Sequence, residues 1–326
     1  MEIDISIQQA DALKIKADVL VLKYAQELHG VDEAVFIRLA LSYKHLEKKL
    51  PRPSDFLLVE NPGNVGLGAD RFLFAGVDVL HKFRYKEIRD FAFNSLAHLA
   101  TVKPGLEHIC FTSHGVSYGL DETEAFKAEV AGIADAIAQG LHPSGLKKIT
   151  IAEIHEERAK RLKAVLRELL PGGLVQIATT RGVTRSLETD RLSQAGINSE
   201  EKPLIFVAMP FDKKMEDVFH YGIRNAVNQA GYLCERADEV VFTGDILDLI
   251  KRRINNATLM IADLTSANPN VYLEVGYAWG VGVPTVLIAQ DPQELRFDVK
   301  GQKCIIYSGI RELEEKLGRE LLGLKR

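Results

Sequence analysis

Asp263 and Glu274 are the two side chains whose type and setting best suit them to chemistry. Asp263 closes an apolar run, Ile261-Ala262-Asp263-Leu264-Thr265, and Glu274 follows Asn268-Pro269-Asn270-Val271, a helix start with Asn268 as cap and Pro269 in the first position. An α/β sheet presents acids at the carboxyl ends of its strands in this way. Because a helix dipole favours negative charge near the N-terminus, Glu274 is expected to be ionised. An ionised, partly enclosed carboxylate can act as a nucleophile or stabilise a cation while a glycosidic bond breaks through an oxocarbenium-like transition state. Glu274 and Asp263 are therefore the candidate catalytic pair.

Other polar and aromatic features fall at neighbouring strand ends. Met209, Pro210 and Phe211 end the strand Leu204 to Met209, Arg236 and Asp238 follow the short strand Tyr232 to Glu235, and Asn270 and Tyr277 share the helix of Glu274. In a doubly wound sheet such loops meet in one crevice, so these seven residues are the candidate substrate contacts. Phe211, Tyr277 and Trp279 offer flat faces for a base, although Trp279 reads more naturally as core. Gly276, Gly280 and Gly282 are poor helix formers and imply close packing of the helix on the sheet or on a ligand. A plainer alternative is that Asp263 and Asn268 cap a turn and a helix, while Glu274 pairs with Arg236.

These residues sit in a second α/β region. Residues 203–326 alternate strand and helix at the spacing of a flavodoxin-like, doubly wound parallel sheet. Residues 1–172 alternate likewise and suggest a three-layer α/β/α domain, with Ile3 to Ile7, Ala17 to Leu22, Phe56 to Val59, Arg71 to Gly76, His108 to Thr112 and Lys148 to Ile154 as strands. A helix is expected over Asp32 to Leu50. Residues 173–202 lose periodicity and read as a linker. In the first region Ser113-His114-Gly115-Val116-Ser117-Tyr118-Gly119 lies between a strand and the alanine-rich helix Glu122 to Gln139. A glycine-bearing loop there can turn N–H groups and a helix terminus toward a phosphate, so Gly115, Val116, Ser117, Tyr118 and Gly119 form a candidate diphosphate cradle.

Composition narrows the function classes. With 46% hydrophobic and 26% charged residues the chain of 326 is long enough for two cores, and its net charge of −4 shows no electrostatic footprint for nucleic acid. The three cysteines, Cys110, Cys234 and Cys304, have neither disulfide nor zinc spacing, and no metal site is expected. No run approaches the ~20 apolar residues that span a bilayer. The N-terminus lacks a basic stretch followed by an apolar one, so a cytoplasmic location is expected. The final amphipathic helix, with Leu313, Leu317, Leu321 and Leu324 on one side, could cover its own sheet or a second copy in a homo-oligomer.

Two resemblances sharpen these expectations. Phe206-Val207-Ala208-Met209-Pro210-Phe211, Arg236-x-Asp238 and the stretch from Ile261 through Glu274-x-Gly276-Tyr277-Ala278 resemble the nucleoside 2-deoxyribosyltransferase-like superfamily and, more broadly, bacterial TIR-like nucleotide-binding domains. The resemblance implies cleavage of an N-glycosidic bond in a nucleoside, nucleotide or NAD, with Glu274 at the catalytic glutamate position and Asp263 and Asp238 as supporting acids. Asn268 and Asn270 stand where those enzymes often carry an aspartate, which implies a leaving group that needs no proton, such as the nicotinamide of NAD. In the first region, Ala12 to Val21, Leu28-His29-Gly30-Val31-Asp32-Glu33-Ala34 and Gly115 to Gly119 resemble macro domains, which bind ADP-ribose and its relatives, and the related amino-terminal domain of leucine aminopeptidases. Their asparagine-rich turn is replaced by Lys23-Tyr24-Ala25-Gln26 and their glycine triplet is reduced to Gly30, which implies ligand binding or a scaffold role rather than ADP-ribosyl hydrolysis. The combined expectation is a nucleotide-sensing first region gating NAD or nucleotide cleavage, as in bacterial defence effectors, without a separate cofactor. The alternatives are a non-catalytic nucleotide-binding or assembly module and a nucleoside deoxyribosyltransferase.

Overall fold

The computed structural model describes residues 2–115, 119–170, 174–176, 194–236 and 246–324. They form two compact units, residues 1–115 with 122–199 and residues 116–121 with 200–326.

The first unit is built on a seven-stranded mixed sheet. Its strands are β1 (Glu2–Gln9), β2 (Val19–Tyr24), β3 (Phe56–Glu60), β4 (Arg71–Gly76), β5 (His108–Thr112), β6 (Lys148–Glu153) and β7 (Leu174–Gln176), in the order β3-β4-β2-β5-β6-β1-β7. The interior pairings are parallel, and only the edge pairs β3/β4 and β1/β7 are antiparallel. Strands buried on both faces lose the polar alternation of an exposed sheet. In β2, Leu20 and Leu22 face a core shared with Val35 and Leu39 of helix α1 (Val31–Ala40), while Val19 and Val21 are equally buried. Helices α2 (Tyr85–Val102), α3 (Glu122–Ala138) and α4 (Glu156–Leu169) complete the three-layer α/β/α arrangement. Helices α2 and α3 cross at a glycine: a Cβ on Gly132 would lie 2.1 Å from the Arg89 carbonyl oxygen.

The expected helix from Asp32 to Leu50 is shorter than its apolar pattern. It ends at Ala40, and His45 takes a left-handed φ of 59° before a short 3₁₀ turn at Leu46–Lys49. The stretch read as linker also contributes structure. Leu174–Gln176 adds an edge strand to β1, and Ala195–Ser199 lies against α2 and α3, where the Arg89 guanidinium donates to the Ala195 carbonyl and the Ser199 hydroxyl donates to Glu124. A three-residue strand and a polar, hydrogen-bonded segment carry no hydrophobic period.

The second unit has β8 (Leu204–Ala208), β9 (Leu233–Arg236), β10 (Leu259–Asp263), β11 (Thr285–Ala289) and β12 (Cys304–Ile306), ordered β12-β11-β10-β8-β9 with every pairing parallel. Numbered within the unit this is 2-1-3-4-5 read from the β9 edge, the flavodoxin-like order, and its direction reverses between β8 and β10. One face is covered by a helical run whose first part, Val218–Ile223, is π-helical and whose second is α5 (Arg224–Gln229), together with α8 (Ile310–Leu324). The other carries α6 (Ile246–Asn256) and α7 (Pro269–Gly280), which pack on each other. Leu313, Leu317 and Leu321 are fully buried against their own sheet, and Leu324 is exposed, so the face of α8 considered for a second copy is already occupied. Among the described residues no helix is long and apolar enough to cross a membrane, and no group of His, Cys, Asp and Glu could hold a metal ion.

Candidate functional site

Strand pairing sets the second-unit site. Ala208 lies opposite Ala262 and Val207 opposite Arg236, so the Met209-Pro210-Phe211 loop, Arg236 and Asp263 leave adjacent strands at the switch point. From Asp263 the chain turns through Thr265–Ala267 into α7, where the Asn268 side chain accepts the Asn270 N–H at 3.0 Å and Pro269 takes the first position.

Glu274 lies on α7 beyond its first turn, half-buried and, among the described residues, without a hydrogen bond or ion pair. Burial pushes its carboxyl up to about 7. The helix dipole fades beyond the first turn, while desolvation penalises charge wherever water is excluded, so the carboxyl exchanges its proton near neutrality. The ion pair with Arg236 that the plainer alternative required is absent among the described residues. Asn270, Glu274 and Tyr277 are spaced i, i+4, i+7 and share one flank of α7. Tyr277 donates to Asn255 of α6 at 3.2 Å, so that flank faces α6.

Two expected partners of Glu274 are committed elsewhere. Asp263 is 0% exposed. One carboxylate oxygen accepts the Thr265 N–H at 3.0 Å and the other the Tyr307 hydroxyl at 2.6 Å. Burial raises its pKa, and the hydrogen bonds from Thr265 and Tyr307 oppose that rise. Asp263 thus ties the end of β10 to Tyr307, just beyond β12. Arg236 is 7% exposed. It donates to Glu216 at 3.0 Å and to the Met209 sulfur at 3.8 Å, and its guanidinium lies 4.1 Å over the Phe219 ring centroid. The His220 hydrogen bond, desolvation notwithstanding, and the Arg236 charge hold the Glu216 carboxyl down to about 2. A buried guanidinium needs such partners, and these tie Arg236 to Glu216 and to the Met209 loop. Glu216 and Tyr307 were missed by sequence reasoning because each acts across a contact distant in sequence.

The remaining candidates divide. Met209 and Pro210 are buried and shape the loop, whereas Phe211 is 52% exposed and presents its ring. Asn270 is exposed. Asp238 lies outside the described residues. Trp279, read as core, is 41% exposed. A Cβ on Gly276 or Gly280 would meet nothing within 4 Å, which removes close packing as their reason, while Gly282 takes a φ of +80° just past the end of α7.

In the first unit, Gly30 has a φ of +68° at the start of α1. Asp32, in the first turn, is buried and accepts the His29 N–H at 3.2 Å. Desolvation raises its pKa and the neighbouring Lys23 charge lowers it; Lys23, also buried, is lowered by desolvation against the pull of Asp32. Gly115 and Gly119 have φ of +89° and +74°, and Val116, Ser117 and Tyr118 lie outside the described residues. Around the cradle the polar groups answer one another. Ser113 donates to Glu153 at 2.7 Å, His114 Nδ1 lies 2.9 Å from Glu129, and Arg161 grips Glu122 of the first turn of α3 at 2.8 and 2.9 Å. Among the described residues there, the second oxygen of Glu129 and the Nε of Arg158 are buried without a hydrogen bond.

No protein-family model matches the chain, and no curated protein does. Among solved structures it is similar to an Oceanobacillus iheyensis macrodomain with ADP (18% identity, TM-score 0.39, 51% of this chain and 91% of that one). It is also similar to a Trypanosoma brucei macrodomain in complex with ADP (16%, 0.38, 50% and 69%). A third is the macro domain of ganglioside induced differentiation associated protein 2 (13%, 0.38, 50% and 83%). Each likeness extends over about half of this chain.

Proposed function

We propose that the protein binds a nucleotide and breaks its N-glycosidic bond in the second unit, with Glu274 as the catalytic residue and NAD as the preferred substrate class. The observation that carries this reading is Glu274 itself: a half-buried carboxyl, unpartnered among the described residues, on the helix that follows the central strand β10 of a flavodoxin-like sheet. A carboxyl pushed up to about 7 sits where one group can exchange protons and charge near neutrality. A cationic nicotinamide riboside beside it would favour the carboxylate by direct attraction. The C1′–N bond then breaks with its electron pair left on the departing neutral nicotinamide. Glu274 stabilises the oxocarbenium-like sugar or adds to it, and water completes the hydrolysis. No proton need reach the leaving group, which accords with Asn268 and Asn270 and with a buried Asp263. Phe211 supplies an exposed ring against which a base can stack.

In this reading the N-terminal region, residues 1–172, binds a nucleotide-like effector at the Gly30 turn and the 115–119 loop and gates the cleavage. A second reading, a nucleotide-binding module without cleavage, is favoured by the internal commitment of Asp263 and Arg236, which leaves Glu274 without a second acid or cation among the described residues.

Incubating the full-length chain with NAD and with deoxynucleosides, and separating the freed base, tests the proposal. Release by the wild type, lost in Glu274→Gln with ligand binding retained, supports it. Binding without release by either protein selects the second reading.

A further inference from the structure

The path from Asp263 to Glu274 crosses a backbone that its own residues disfavour. Ser266 and Ala267 take φ of 62° and 47°, consecutive left-handed positions occupied by two L side chains. Such a turn persists only where its surroundings determine it. The surroundings here come from the ends of β11 and β12. The Leu264 N–H donates to the Ile288 carbonyl at 2.9 Å, the Gln290 N–H to the Thr265 hydroxyl at 3.1 Å, and the Ser266 N–H to Glu294 at 2.8 Å. Asp263 joins the system from beneath, taking the Thr265 N–H on one oxygen and the Tyr307 hydroxyl on the other. Tyr307 is 1% exposed, its own N–H bonds the Ala289 carbonyl at 3.0 Å, and its hydroxyl lies 3.4 Å from the Gln290 side-chain amide.

We infer that Tyr307 is a positioning residue: through Asp263 it holds the strained 264–267 turn, which sets where α7 begins and hence where Glu274 stands. The inference rests on the assignment of Glu274 as the working group. Tyr307 never meets substrate. Its hydroxyl donates to one oxygen of Asp263 at 2.6 Å, and losing it leaves a buried carboxylate short of a partner, with the turn free to relax toward ordinary backbone angles. The cap at Asn268 and the first turn of α7 follow the turn directly, so relaxation shifts Glu274 relative to its crevice.

The test compares wild type, Tyr307→Phe, Ala267→Gly and the double variant as full-length chains, with glutamate carboxyls labelled for NMR and Glu274 assigned by Glu274→Gln. In Y307F the Glu274 midpoint is expected to fall from near 7 toward the ordinary 4.5. Turnover of any base released falls with it by roughly 100-fold, as expected for a displacement near 1 Å, with KM little changed. Glycine accepts the left-handed angle, so A267G alone leaves the midpoint unchanged and raises thermal stability. In the double variant the strain at position 267 is gone and only that at Ser266 is left to release, so midpoint and turnover recover part of the loss. A purely structural hydrogen bond would lower the melting temperature of Y307F, leave the midpoint in place and gain nothing from glycine; that pattern overturns the inference. Gln290→Ala is a milder probe should Y307F not fold, moving the midpoint the same way by less, and no movement there also overturns it. If the wild type releases no base, the enzymatic reading fails, and the titrations still decide whether Tyr307 positions Glu274.

Discussion

At the carboxyl ends of β5 and β6 in the first unit, nearly every described polar side chain has an internal answer: Ser113 with Glu153, His114 with Glu129, Glu122 with Arg161. At the corresponding end of the second sheet, Asp263 and Arg236 are just as fully engaged, yet Glu274 one helix turn further on has no described partner. Buried polar groups in proteins are hydrogen-bonded as a rule, so a saturated network is what a fold requires of itself. A half-buried carboxyl kept unpaired costs stability and is retained where it meets something else. The contrast is what supports the proposed chemistry at Glu274.

The sharpest way to break this contrast is to disable each end in turn. Glu274→Gln is expected to reduce base release roughly 100- to 10,000-fold, the range of a general acid or base, while His114→Ala leaves the rate at saturating substrate nearly unchanged; a large rate loss from the latter at equal folded fraction would move the chemistry into the first unit. The same His114→Ala variant is expected to destabilise by about 3–5 kcal/mol in denaturant unfolding, because it strands Glu129 in the interior.

Stability against pH separates the two ends further. The folded pKa of Glu274 is raised above its unfolded value, so its contribution is fully present below about 4.5 and is lost as pH rises through about 7. Glu274→Gln carries no such penalty. Its melting temperature should match wild type at pH 4 and exceed it by a few degrees at pH 8. Equal offsets at both pH values would mean an ordinary carboxyl. The smallest expected effect is Gly30→Ala. A Cβ there meets no neighbour, so the cost is that of the positive-φ, glycine-type backbone alone, about 1–3 kcal/mol, measured by chemical unfolding. A much larger loss would reveal contacts that the 28–34 turn does not show.

Much of the architecture was legible because strands covered on both faces are written as unbroken β-branched and apolar runs, as in Val19 to Leu22 and Leu259 to Ala262. The edge strand Leu174–Gln176 and the docked segment Ala195–Ser199 were not, since they are held by backbone and polar bonds that leave no periodic trace. At the site, residue types and order picked out Glu274, Asp263 and Arg236, but their roles depend on partners far along the chain. Tyr307 reaches Asp263 across 44 positions and Glu216 reaches Arg236 across 20. The raised pKa of Glu274 has a cause that the sequence does not show, the desolvation of a side chain packed on its own fold. Trp279 was placed inside because of its size, yet it lies on the open side of α7.

The central claim is that Glu274 is an acid held unpaired and raised by burial. Carboxyl-resolved NMR titration of Glu274 in the full-length protein tests it most directly: the account predicts a midpoint near 7 that falls when a nicotinamide nucleotide binds. A midpoint near 4.5 that ignores the nucleotide would contradict it.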